Sequence, residues 1–248
     1  MKFVICINHV PDTETKVNVS SDGTTIDTSG VNYILNPYDE FAIEAALRFK
    51  EKLGGETIAL SLGGDNHKET LRKALAMGVD KAILLKESSR RDSSSIARAL
   101  AEELKKLSPS CVLFGKQSID YYDEQIPGCV AELLGIPSVS IVVSIEIQGD
   151  KIICHREIEG GHEIVETTFP AVISTQKGLN EPRYPSLKGI MAAKNKPIEE
   201  RPAPNFPSTI EIIRMNKPPA KKAGRIVGTD VSAVPELVRL LHEEAKVI

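Results

Sequence analysis

The sequence predicts an α/β protein: a doubly wound, mostly parallel sheet carrying an antiparallel β extension and a C-terminal arm. Three observations predict it. Between Met1 and Gly135, short apolar runs rich in β-branched residues alternate with helix-period segments, the order of a parallel sheet with crossover helices. Beyond Pro137 the pattern changes to period-two runs joined by Gly149-Asp150 and Gly160-Gly161, an antiparallel meander. From Lys196 to Glu236 the chain holds seven prolines and little periodicity, so it reads as an arm and not as a second core.

The elements follow in order. Lys2–Val10 is a buried first strand. Lys16–Asp27 holds two alternating runs around Ser21-Asp22-Gly23, a hairpin signature. Asn36-Pro37-Tyr38-Asp39-Glu40 starts a helix: Asn36 as cap, Pro37 at the first helical position, and two acids against the helix dipole. Phe41, Ala45, Leu47 and Phe49 give that helix its apolar side, and Gly54-Gly55 ends it. Thr57–Leu62 is a strand, Gly63-Gly64-Asp65 a turn, and His67–Met77 a helix closed by Gly78. Lys81–Lys86 is the next strand. Ser93–Leu107 is a helix with Ile96, Leu100, Leu104 and Leu107 on one face. Ser110–Gly115 is a strand that runs through a polar loop into a helix over Ala131, Leu133 and Leu134.

The meander comprises Val139–Ile147, Lys151–Glu159 and His162–Phe169, with Ala171–Thr175 as a final strand. Gln176–Ser186 is a polar loop leading to a short helix through Met191. Two units result: residues 1–193, an α/β domain that includes the loop 176–187, and the arm 194–248. The arm ends in an amphipathic helix around Leu237, Leu240 and Leu241, which needs another polypeptide to lie on.

Composition narrows the function. A net charge of −3 argues against nucleic acid as a partner. The charge is uneven, because Lys194–Arg225 carries eight Lys/Arg against three Glu. No apolar run approaches the roughly 18 residues of a membrane span, so direct membrane insertion is not expected. Met1–Ile7 looks like a strand and not a signal peptide. The expected location is the cytoplasm of a bacterium, or the mitochondrial matrix if a presequence was removed. Cys6, Cys111, Cys129 and Cys154 form no CxxC pair, and the histidines show no HExxH spacing; no metal is expected.

Sheets of this kind bind ligands at the carboxyl ends of their strands, which are Cys6–Asn8, Leu62–Asp65 and Gly115–Asp120. The strand, loop and helix from Ser110 to Ala131 could aim backbone N–H groups at a phosphate, though an ordinary strand-to-helix connection has the same outline. No GxGxxG follows the first strand. Ser61-Leu-Gly-Gly-Asp65 is similar to the SGGxDS loop of ATP pyrophosphatases, but it has one residue too many and Asn66 where a hydroxyl belongs. An ATP-using adenylyl-transfer enzyme is therefore the lesser reading. No Ser/His/Asp or Cys/His constellation emerges, so the chain reads as a nucleotide holder and not an enzyme.

Five stretches carry a specific resemblance: Asn36–Glu44, Ala74–Gly78, Gly115–Asp120, Arg156–Gly161 and Leu179–Leu187. In order and spacing from Met1 to about Lys196, the chain resembles the β subunit of electron transfer flavoprotein. The resemblance implies a Rossmann-like, adenine-nucleotide-binding fold and an obligate heterodimer, whose α subunit holds most of the site for one FAD. It implies electron transfer from acyl-CoA and related dehydrogenases, as in fatty-acid β-oxidation, to a membrane quinone reductase. The family's nucleotide site falls on Cys6, on Asn36, Pro37, Tyr38 and Asp39, on Leu62, and on Asp120, Tyr121, Tyr122, Asp123, Glu124, Gln125, Ile126, Pro127, Gly128, Cys129, Val130 and Ala131. There the ordinary branch holds a structural AMP and the electron-bifurcating branch a second FAD.

This chain departs from both patterns: the ordinary branch tends to have hydroxyl and amide donors where Ile126 and Pro127 sit, and the bifurcating branch differs at further positions. Tyr121 replaces a glycine, Asp123 replaces a hydroxyl donor, and Pro127 supplies no N–H. AMP is the expected ligand. Leu179, Asn180, Glu181, Pro182, Arg183 and Tyr184 match the family's recognition loop, where the resemblance implies that the leucine enters an apolar pocket of the partner dehydrogenase.

Overall fold

A computed structural model describes residues 1–220 and 223–248. Lys221 and Lys222, two charges of the basic stretch, lie outside the described residues. In chain order β1 (Lys2–Cys6) is followed by β2 (His9–Pro11), β3 (Tyr33–Leu35), α1 (Pro37–Leu53), β4 (Glu56–Gly63), α2 (His67–Met77) and β5 (Lys81–Lys86). Then come α3 (Ser93–Leu107), β6 (Cys111–Gly115), α4 (Ile126–Leu134), β7 (Ser138–Gln148), β8 (Lys151–Ile158) and β9 (Gly161–Thr168). The chain finishes with β10 (Ala171–Thr175), α5 (Leu187–Asn195), β11 (Ile198–Pro202) and α6 (Val234–Leu240).

Nine strands form one sheet in the order β11-β5-β4-β1-β6-β10-β7-β8-β9, while β2 and β3 pair only with each other. Every neighbouring pair from β11 to β7 is parallel; β7, β8 and β9 are antiparallel. The central strands are buried on both faces, as β-branched, uninterrupted apolar runs require. Phe3, Ile5 and Leu113 pack with Ile43 of α1, Leu71 of α2 and Ala193 of α5. Val4, Val112 and Val172 point to the other face, against Leu100 and Leu104 of α3 and Val130 of α4. The chain leaves β1 toward one face and β6 toward the other. The strand order therefore reverses at this pair, opening a crevice at their carboxyl ends.

The local chemistry accounts for several boundaries. Asp92 caps α3 by accepting from the Ser95 N–H at 2.7 Å. Gly135 ends α4 in the left-handed conformation, at φ 67°. The helices His67–Met77 and Ser93–Leu107 have the bounds that the sequence predicts.

Four expectations change. The first strand stops at Cys6, because the Asn8 N–H goes to the Asp39 carboxylate at 2.7 Å and not to a neighbouring strand. The chain then turns, and His9–Pro11 pairs with Tyr33–Leu35. The hairpin over Lys16–Asp27 is reduced to a single bridge, Val19 with Ile26. Ser20 and Asp22 bond the Thr25 and Thr24 N–H groups instead, offering the backbone an alternative to a ladder. Asn36 makes no side-chain cap; its amide donates to Asp39 at 2.9 Å and to the Gln117 carbonyl at 2.9 Å. Finally, Ile198–Pro202 leaves the arm and adds to the sheet edge beside β5. Arg201 pairs there with the buried Glu103, and Glu200 with Lys68 at 2.7 Å. The arm proper begins after Pro202.

Candidate functional site

Asp39 is the junction of the crevice. Only 4% exposed, its carboxylate accepts from the N–H of Asn8 beyond β1, from the Asn36 amide, and from the N–H of Gly115 at the end of β6, at 2.7, 2.9 and 3.0 Å. Burial pushes this carboxyl up to about 7, against the three hydrogen bonds that favour the anion. Gly115 is required here, since a Cβ would lie 2.4 Å from Asp39 Oδ1 and 2.6 Å from the Tyr38 Cβ. Asn36 also accepts from the Ile119 N–H at 3.3 Å. Two side chains at the start of α1 thus hold the ends of β1 and β6 and the loop after β6.

These contacts frame a slot of about 100 Å³. Its apolar walls are Leu60, Leu62, Ile96, Leu100, Phe114 and Pro127. Cys6 lies at its floor, with its thiol raised well above the ordinary range by burial. A wider cavity of about 440 Å³ shares Asn8, Leu62, Ile96, Ser118, Asp123 and Ile126 with the slot and opens toward the loops after β4 and β5.

Of the residues expected at the site, Cys6, Asn36, Asp39, Leu62, Asp123, Glu124, Ile126 and Pro127 line the slot, and Asp120 and Tyr121 line the wider cavity. Burial pushes the Asp120 carboxyl upward. The remainder are placed elsewhere. Pro37 opens α1, and Tyr38 lies with its ring centroid 5.5 Å from Lys116 Nζ. Tyr122 is exposed, Gln125 donates to Asp123 at 3.3 Å, and Gly128 has open space around it. Cys129, Val130 and Ala131 face the core beneath α4. Lys116, which also lines the slot, pairs with Glu124 at 3.4 Å.

The wider cavity brings residues that sequence reasoning missed: His9, Tyr33, His67 and Arg90. His9 stacks on Tyr33 with ring centroids 4.8 Å apart, and its Nδ1 is buried without a partner. Ser61 gives its hydrogen to the Ile7 carbonyl and so accepts from His67 Nδ1, each at 2.9 Å. The glycines of Ser61–Asp65 were the one local signal for this wall.

The loop 176–187 is anchored from beneath. Glu44, its side chain 4% exposed, accepts from Arg183 Nε at 2.7 Å and from Arg48 at 2.8 Å, while Arg183 reaches Glu51 at 2.7 Å. Asn180 donates to the Phe41 carbonyl at 3.0 Å. Leu179 is half-buried and packs against the core. Glu181 is exposed and Pro182 half-buried. The apolar side chains that do stand out are Tyr184, Leu187 and Met191, at 95, 84 and 63% exposure.

Residues 23–205 match the electron transfer flavoprotein domain. The chain is 42% identical over 225 residues to the electron transfer flavoprotein subunit beta of Syntrophomonas wolfei, covering 90% of this chain and 88% of that one. It is 38% identical to the Bacillus subtilis subunit beta and 37% identical to the mitochondrial subunit beta of Arabidopsis thaliana, each over the full length of both chains. An α/β sheet with its crevice at β1 and β6, and full-length likeness to these subunits, place the chain in the electron transfer flavoprotein family, among its β subunits.

Proposed function

We propose that the chain holds one AMP at its strand ends and serves an electron carrier whose α subunit holds most of the FAD site. The observation that carries this reading is the Asp39 junction, which draws the ends of β1 and β6 and the start of α1 around one apolar slot. Apolar walls suit a base, and the adjoining polar cavity suits a ribose and phosphate. The nucleotide is a structural ligand here: it would add to the ties that Asp39, Asn36 and Thr175 make between the strand ends and loops.

FAD held mainly by the α subunit would supply the electron chemistry between acyl-CoA-type dehydrogenases and a membrane quinone reductase. This chain's residues position partners. The arm carries exposed Ile210, Ile213, Ile226 and Val231, apolar groups that an α subunit would cover. The dehydrogenase contact is assigned to Tyr184, Leu187 and Met191, because Leu179 is already committed to the core. In the heterodimer, Leu187→Ala should slow reduction by the dehydrogenase at least about tenfold under limiting concentrations, with flavin content unchanged. Leu179→Ala should instead lower the melting temperature with little effect on docking. Equal transfer rates for wild type and Leu187→Ala would remove the docking assignment.

The rival reading is a second FAD. The wider cavity favours it by volume, while Tyr121 and Asp123 on its wall and Pro127 at the start of α4 oppose a diphosphate.

A further inference from the structure

A phosphate placed at the start of α4 would meet Asp123 and Glu124, and Pro127 has no N–H to offer it. The cations nearby are mostly spent. Lys116 pairs with Glu124 at 3.4 Å. Arg91 is committed to Glu87 and to the Pro204 carbonyl at 2.7 Å. Arg90 differs. It lines the wider cavity and makes no ion pair among the described residues. Its partners are neutral: Nε donates to the Tyr121 hydroxyl at 2.7 Å and Nη1 to the Thr24 carbonyl at 3.2 Å.

The carboxylates on the same wall are Glu87, Asp120 and Asp123. Glu87 is matched by Arg91 and by Ser89, and burial favours the neutral form of Asp120. Asp123 keeps only the Ser93 hydroxyl and the Gln125 amide. An anion therefore gains by lying away from Asp123 and toward the loop 87–92, where Ser88, Ser89 and Arg90 line the cavity. A guanidinium with only neutral partners at such a rim has a fork free to receive phosphate oxygens.

We propose that Arg90 is the phosphate-binding residue of this site. A nucleoside monophosphate with its base in the slot turns its phosphate toward the loop 87–92, and Arg90 exchanges the Thr24 carbonyl for it. Tyr121 keeps its bond to Nε and acts as a positioning residue. The inference rests on the mononucleotide reading above.

Calorimetric titration of the nucleotide-stripped heterodimer with AMP and with adenosine separates the two. Wild type should bind AMP at least about tenfold more tightly than adenosine, the worth of a charge-assisted bond. Arg90→Gln should bring the two affinities within about twofold while leaving adenosine binding unchanged, and Arg90→Lys should restore part of the preference. Unchanged adenosine binding also shows that the variant is folded. An AMP preference that survives Arg90→Gln overturns the role of Arg90 and leaves the mononucleotide reading standing. Wild type that binds neither compound overturns both.

Discussion

Asp39 shapes the site at the scale of single residues, and its proton gives it a signature. Its folded-state value near 7 lies above the ordinary 3.8 of an aspartate. The folded state therefore binds the proton more tightly. The stability this provides is complete below about pH 4 and is lost as pH rises through 7. His67 runs the other way, since burial lowers it to about 4, so its contribution is complete above about 6.5 and lost as pH falls. A comparison with Asp39→Asn isolates the first effect. In urea unfolding, the stability gap between wild type and this variant should be larger at pH 5 than at pH 8, by on the order of 2 kcal/mol. A gap that stays the same from pH 5 to pH 8 would mean that the three donors keep the carboxylate ionised throughout. This residue also marks a limit of reading from sequence. Asn36 and Asp39 look like an ordinary helix start, and only the return of β6 to the side of β1 turns them into a junction.

The elements near the site are held by a few long-range ties, of which Arg183 with Glu44 is the clearest. Glu44 sits on the core-facing side of α1, and Arg183 brings the loop after β10 down onto it. Arg183→Ala leaves Glu44 with Arg48 alone. Because Arg183 is more than a third exposed, the cost should be about 1–3 kcal/mol, short of a fully buried pair. Thermal unfolding would register it, and an unchanged midpoint would show that the loop is held by Asn180 and Leu179 without it. Elements whose pattern is complete in themselves were legible: α2, α3 and the meander β7–β9 follow local periodicity and glycine turns. Elements completed by a partner were not. Ile198–Pro202 is a strand only because Lys81–Lys86 offers it an edge, and His9–Pro11 only because Tyr33–Leu35 lies opposite.

Across the whole molecule, the two faces of the sheet divide the labour. The face under α1, α2 and α5 supports the loop 176–187 and its exposed Tyr184, Leu187 and Met191, while α3 and α4 on the other face wall the slot. The strand-end rule and the family resemblance together pick out Cys6, Asn36, Asp39, Leu62 and the loop after β6. They do not pick out Phe114, Ile96 or Leu100, which read as ordinary core until the packing of α3 beside α4 leaves a gap between them. Nor do they pick out Arg90, whose loop has no motif. The arm returns to this same region: Asp92 accepts from Thr209 and Ile210, and the Met215 N–H donates to the Gly23 carbonyl at 2.7 Å. Loops around the wider cavity and the segment proposed to clasp the α subunit are thus tied together. The most direct measurement is to denature the heterodimer, purified without added nucleotide, and quantify what is released by chromatography and mass spectrometry. One AMP and one FAD per heterodimer is the predicted result; two FAD and no AMP would contradict it.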